Sequence, residues 1–172
     1  MKNAALTTSI LAAMLIAACS SAPPKAEPPA VAVAQPAPPP PAPAAPAETE
    51  AQRIDRVVAQ LASKSIYFDY DQFTIKPEFQ ALLQQDFDAL MSVPSASIRL
   101  EGNADERGST EYNLALGQKR AEAVKRALKL LGIPEARMEA ISYGKEKPRA
   151  TCHEERCWAE NRRVDFAKGG SK

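Results

Sequence analysis

Three groups of residues in this chain could do chemistry, and each points to a different kind. Cys152, His153 and Cys157 fall within one six-residue stretch, and thiolates and imidazoles are common metal ligands. There is no CxxC spacing, and His153 is the only histidine in 172 residues, so a metal would find at most three ligands. The other reading is a disulfide between Cys152 and Cys157, as expected of an exported chain. A ring this small stabilises a fold by roughly 2 kcal/mol in the chain-entropy model.

Carboxylates form the second group. Asp105 and Glu106 are neighbours, and Asp71 is a further candidate. Two carboxylates cleave a glycosidic bond when they flank it, about 5 to 9.5 Å apart and normally from different segments. Asp71 and Asp105 could take that arrangement, but no GxSxG, HExxH or Cys–His–Asn set accompanies them. The expectation is a binding protein and not an enzyme, with no cofactor and no metal. The cations are the third group: Arg120 beside Lys119, Lys125 and Arg126, and the pair Arg162–Arg163. From residue 51 onward 20 Lys/Arg face 18 Asp/Glu. That balance argues against a nucleic-acid partner, which needs a strong positive field.

Cys19 stands apart. Lys2 and the apolar run Ala4–Ala18 end in Leu15-Ile16-Ala17-Ala18-Cys19. The run is short for a membrane span, which needs about 20 residues, and suits a secretory signal. Its end resembles a lipobox, in which cleavage precedes a cysteine that takes lipid. Residues 1–18 are therefore expected to be a signal peptide and Cys19 the lipidation site. With Ser20 and no Asp after the cysteine, resemblance to bacterial lipoproteins implies the periplasmic face of the outer membrane. Residues 20–47 carry 11 of the 15 prolines. Such a segment buries too little apolar surface to fold, so 19–50 is expected to be a tether.

Residues 51–172 must then position the candidate groups. Ile54, Val57, Val58 and Leu61 suggest a leading helix over 50–63. Ser65–Phe68 favours a strand. Pro77 opens a helical pattern through Phe79, Leu82, Leu83, Phe87, Leu90 and Met91, which Pro94 stops. A strand is expected at Ser97–Leu100. Ser109 or Thr110 can cap the next helix, whose apolar face is expected to be Leu114, Ala121, Val124, Leu128 and Leu131, with Gly132 ending it. Arg120 and Asp105 fall outside that face. Further strands are expected at Ala140–Tyr143 and Val164–Ala167. Strands alternating with helices imply an α/β (α+β) two-layer sandwich, with helices packed on one sheet.

The string Leu100-Glu-Gly-Asn-Ala-Asp-Glu-Arg-Gly-Ser-Thr-Glu-Tyr-Asn-Leu-Ala-Leu-Gly-Gln-Lys-Arg-Ala121 resembles the OmpA-like peptidoglycan-binding domain. So do Tyr67-Phe-Asp-Tyr-Asp71, Ser142-Tyr-Gly-Lys-Glu-Lys-Pro148 and Asn161-Arg-Arg163. The likeness covers about residues 65–168 and is strongest to the lipoprotein branch that works in the Tol–Pal system. It implies βαβαβ-β order on one mixed sheet. It also implies non-covalent binding of the diaminopimelate in the peptidoglycan stem, and TolB and other Tol proteins as partners. An OmpA-like wall anchor in another envelope machine is the alternative. By resemblance Asp105 takes the ligand ammonium, Arg120 takes the carboxylate through its planar fork, and Asp71 is a further acidic contact. Asn103 is one of the residues the motif accepts. Arg162 also matches, although it or Arg163 could instead buttress Asp105 or the sheet. The lesser readings make Asp105 a turn former and Arg120 a solvated charge. Trp158 is expected to pack within the domain, and the cysteine-bearing loop 151–157 departs from the usual pattern of the branch.

Overall fold

A computed structural model describes residues 48–170; the expectations for the signal segment, Cys19 and most of the tether lie outside the described residues. Helix α1 (Glu50–Ala62) begins with a reciprocal cap: the Thr49 hydroxyl accepts from the Gln52 N–H, and the Thr49 N–H donates to Gln52 Oε1 at 2.8 Å. Its buried face is Val57, Val58 and Leu61. Strand β1 (Ser65–Tyr67) follows. A 3-10 turn over Pro77–Phe79 leads into α2 (Gln80–Met91). Then come β2 (Ile98–Asn103), α3 (Thr110–Leu131), β3 (Met138–Gly144), α4 (Glu155–Asn161) and β4 (Arg163–Lys168).

The sheet order is β1-β4-β2-β3, with β2 and β3 parallel and β4 antiparallel to both its neighbours. It is therefore mixed, and the βαβαβ-β expectation matches, with the short α4 added before the last strand. Ile66, Ile98, Leu100, Val164 and Phe166 meet Val57, Leu61, Leu83, Leu90, Ala121, Val124 and Leu128 in one core. These are the two layers of the sandwich.

Two features of α3 set the site. At its start the Ser109 hydroxyl accepts from the Tyr112 N–H at 3.1 Å, capping the helix. Two turns on, Gly117 lies against Gly102 of β2. A Cβ on Gly102 would fall 1.9 Å from the Gly117 carbonyl oxygen, so only glycine lets the helix come this close. That approach sets the loop after β2 against the first turn of α3, where Asn113 Nδ2 donates to the Arg107 carbonyl at 2.9 Å.

The apolar face assigned to α3 needs correction. Ala121, Val124 and Leu128 are buried, but Leu114 is 48 % exposed and Leu131 38 %. The buried positions of the first three turns are Asn113, Leu116, Gly117 and Arg120. The physical reason is that the buried face is one continuous stripe whose first half is polar (Asn113, Gly117, Arg120); Leu114 falls at its edge and Leu131 at the helix end. Arg120 was expected outside the buried set; it has no exposed surface and is the largest side chain so buried.

Candidate functional site

The ends of β1 and β2 and the first half of α3 enclose a cleft of about 130 Å³. Asp71, Asp105 and Arg120 all line it, with Tyr70, Arg107, Tyr112, Asn113 and Leu116 among their neighbours. Arg162 is not among the lining residues; it stands behind Asp105.

Arg120 lies beneath the floor. Its Nε donates to the Gln72 carbonyl at 2.8 Å, Nη1 to the Asn103 carbonyl at 2.9 Å and Nη2 to the Asp69 carbonyl at 3.1 Å. The guanidinium therefore ties the loop after β1 to the end of β2, and it lies 5.4 Å from the Phe68 ring centre. Burial, helped by the nearby charge of Arg162, pushes its pKa down to about 10. It stays protonated at neutral pH, yet among the described residues it has no ion-pair partner.

Asp105 is buried in the wall. Its Oδ1 accepts from the Arg107 backbone N–H at 3.1 Å and Nε at 3.2 Å, while Oδ2 accepts from Arg107 Nη2 at 2.6 Å and Arg162 Nη1 at 3.4 Å. Burial works to raise this carboxyl, but the hydrogen bonds from Arg107 and Arg162 outweigh it and hold the pKa below the usual value. Arg162 also donates to the Phe68 carbonyl at 3.0 Å and to Glu155 at 2.6 Å. These contacts make Arg162 a brace between β1, Asp105 and α4. Arg163 pairs instead with Asp165 at 2.9 Å.

Asp71 sits in a tight turn at φ 57°, a left-handed conformation that Asp tolerates better than most residues. The Tyr112 hydroxyl donates to its carboxylate. Asp71 is otherwise exposed.

Sequence reasoning did not assign Arg107. Its guanidinium is sandwiched between the rings of Tyr70 (4.0 Å) and Trp158 (4.1 Å) and pairs with Asp105. The only available signal was its place two residues after Asp105. Trp158 is thus both packed and stacked, and its indole N–H donates to Glu106 at 2.7 Å. The third motif braces the same loop: Ala104 N–H donates to the Gly144 carbonyl at 2.7 Å and Lys145 to the Gly108 carbonyl at 2.9 Å. Cys152 and Cys157 are joined in a disulfide with Cα atoms 5.6 Å apart. That bond removes both sulfurs as metal ligands.

The chain matches the OmpA family over residues 67–162. A peptidoglycan-associated lipoprotein of Agrobacterium fabrum is 47 % identical over 106 residues, covering 62 % of this chain and 60 % of that protein. Less than two thirds of the relative's length is thus spanned. The crystal structure of the peptidoglycan-associated lipoprotein from Burkholderia pseudomallei superposes with TM-score 0.60 at 57 % identity, over 62 % of this chain and 90 % of that one. The cell wall anchor of the type VI secretion system from Pseudomonas aeruginosa gives TM-score 0.53 at 25 % identity, over 66 % and 94 %. With the family match running through more than half of its residues, and with the mixed sheet and cleft in place, the chain belongs to the OmpA family.

Proposed function

We propose that this domain grips peptidoglycan without cutting it, by reading the diaminopimelate of the peptide stem. The observation that carries the reading is Arg120, a buried cation under a cleft with no carboxylate paired to it among the described residues. A buried charge is costly unless paired, and a ligand carboxylate entering the cleft would supply the missing anion. The diaminopimelate side chain ends in a carboxylate and an ammonium. Asp71 and Asp105 supply the negative wall for that ammonium, and Asp71 has the freer carboxylate. Arg162 acts by holding Asp105 and makes no ligand contact of its own.

The relatives named peptidoglycan-associated lipoproteins support a lipid anchor and wall association; the rest of the wider reading follows from the likeness of the sequence motifs. Residues 1–18 are a signal peptide, Cys19 carries lipid, 19–50 form a tether, and 51–172 form the wall-binding domain. The protein then sits on the periplasmic face of the outer membrane and links it to the wall. It works within the Tol–Pal system with TolB and other Tol proteins, in envelope integrity and cell division. The wall anchor of the secretion apparatus shares the fold at 25 % identity, against 57 % for the lipoprotein from Burkholderia, so the Tol assignment is preferred. A pull-down of the oxidised full chain with purified sacculi and with TolB tests both halves. Capture by both, with no muropeptide released, is expected. Failure to bind sacculi refutes wall binding, and binding to sacculi but not TolB favours another machine.

A further inference from the structure

The disulfide ring lies one layer behind the cleft, and residues inside and beside it contact Glu106, Arg107 and Arg162 of the site wall. Helix α4 starts within the ring, is seven residues long, and its preceding residue Glu154 makes no side-chain capping bond. A helix this short does not persist without tertiary support, and only Cys157 and Asn161 of α4 are buried. His153, inside the ring, lies 2.8 Å from Glu106. Glu155, also inside, accepts from Arg162 at 2.6 Å and approaches Arg107 at 3.7 Å. Trp158, directly after the ring, covers one face of Arg107 and bonds Glu106. Arg107 in turn contacts both oxygens of Asp105.

We infer that the Cys152–Cys157 ring positions the outer wall of the cleft, holding Glu155 and Trp158 on Arg107 and so fixing Asp105, and that the thiol–disulfide state of the chain thereby sets its affinity for the wall ligand. The inference rests on the cleft being the ligand site. Reduction by an external dithiol breaks the S–S bond with two electrons and two protons. It leaves two thiols on the chain and converts the dithiol to a disulfide. Helix α4 then frays, Arg107 loses one of its two aromatic faces, and the ligand must order the wall as it binds, which weakens binding.

Trp158 is the only tryptophan in the chain, so its emission reports directly on α4. The full chain is compared oxidised, reduced with dithiothreitol, and as the double variant Cys152→Ser/Cys157→Ser. Emission, circular dichroism and equilibrium binding to purified sacculi are read for each. Reduction and the double variant should red-shift the emission and weaken binding at least threefold while the circular dichroism of the sheet and long helices persists. In Arg107→Ala, reduction should still shift the emission but cause a smaller further loss of binding, because only the route through Glu155 and Arg162 to Asp105 then remains. Equal or tighter binding on reduction overturns the inference. So does the same threefold loss in Arg107→Ala, which would mark the ring as a general stabiliser. If the oxidised parent does not bind sacculi, the functional reading fails; an unshifted Trp158 emission overturns the positioning role by itself.

Discussion

Replacing Arg120 by alanine should destabilise the domain severely, whatever it does to binding. The side chain makes three hydrogen bonds, to the carbonyls of Asp69, Gln72 and Asn103, and no part of it is exposed. A hydrogen bond from a charged donor contributes about 1.5 to 3 kcal/mol, and a buried acceptor left unmatched costs about 1 to 3 kcal/mol. Those effects overlap, and water entering the cleft would recover part of the loss. About 3 to 5 kcal/mol is therefore expected from Arg120→Ala, at the upper end for a single substitution. For a domain of this size, that lowers the melting temperature by roughly 10 to 20 °C. Arg120→Lys keeps the charge but cannot reach three diverging carbonyls from one nitrogen, so about 1 to 2 kcal/mol should be lost. Urea denaturation of the full chain, followed by circular dichroism, measures both. An Arg120→Ala protein within 1 kcal/mol of the parent would refute the view that this guanidinium holds the loops together.

Asp86 gives a pH-dependent prediction. Burial pushes its carboxyl up to about 6, with Lys64 opposing, and one oxygen has no hydrogen-bond partner. Its folded value lies above the unfolded one of about 3.9, so the folded state prefers the proton. The cost is fully present above pH 6 and is relieved as pH falls toward 4. Asp86→Asn should therefore add about 1 to 2 kcal/mol at pH 8 and progressively less toward pH 4; a gain independent of pH in urea melts would contradict this. Asp71→Asn should leave stability within about 0.5 kcal/mol, since Asn also tolerates φ 57°, but should weaken sacculus binding severalfold; unchanged binding would remove Asp71 from the ligand contacts. Cys19→Ser should move the protein from the membrane to the soluble periplasmic fraction, and continued cofractionation with wall-free outer membrane would rule out the lipid anchor.

How far the sequence disclosed this molecule differs from element to element. The start of α3 was readable from Ser109, its end from Gly132, and the entry to α2 from Pro77, because caps and breakers act locally. Strands β2 and β4 were readable from apolar residues at alternate positions, Ile98/Leu100 and Val164/Phe166, which the fold buries, and β1 and β3 from short β-favouring runs. Helix α4 was not, since Glu-Arg-Cys-Trp-Ala-Glu-Asn has no apolar stripe and is held by distant contacts: the disulfide, the site loop and the hydrogen bonds of Asn161 to residues 149 and 150. Leu114 was misplaced because it lies at the edge of a buried stripe whose first half is polar, with Asn113, Gly117 and Arg120, so apolar residues alone do not mark that face. Among the candidate residues, the likeness to the family brought out Asp71, Asp105 and Arg120, and the structure gathers them around one cleft. The burial of Arg120 was hidden, because its neighbours Lys119, Lys125 and Arg126 make it read as one more surface charge. Arg107 was hidden for a different reason. Its partners Tyr70 and Trp158 lie 37 residues before and 51 after it in the chain, and only the fold brings them to its two faces.

The most direct measurement is a calorimetric titration of soluble stem peptides into the oxidised full chain. One peptide carries diaminopimelate with its side-chain carboxylate free, and the other has that carboxylate amidated. If Arg120 awaits an anion, amidation leaves its charge unpaired and should weaken binding at least tenfold, about 1.4 kcal/mol. Lys125→Ala, which alters only a pair with Glu135 outside the cleft, should bind the free-acid peptide like the parent, whereas Asp105→Ala should bind it at least tenfold more weakly. Equal affinity of the parent for the two peptides would contradict the account at its centre.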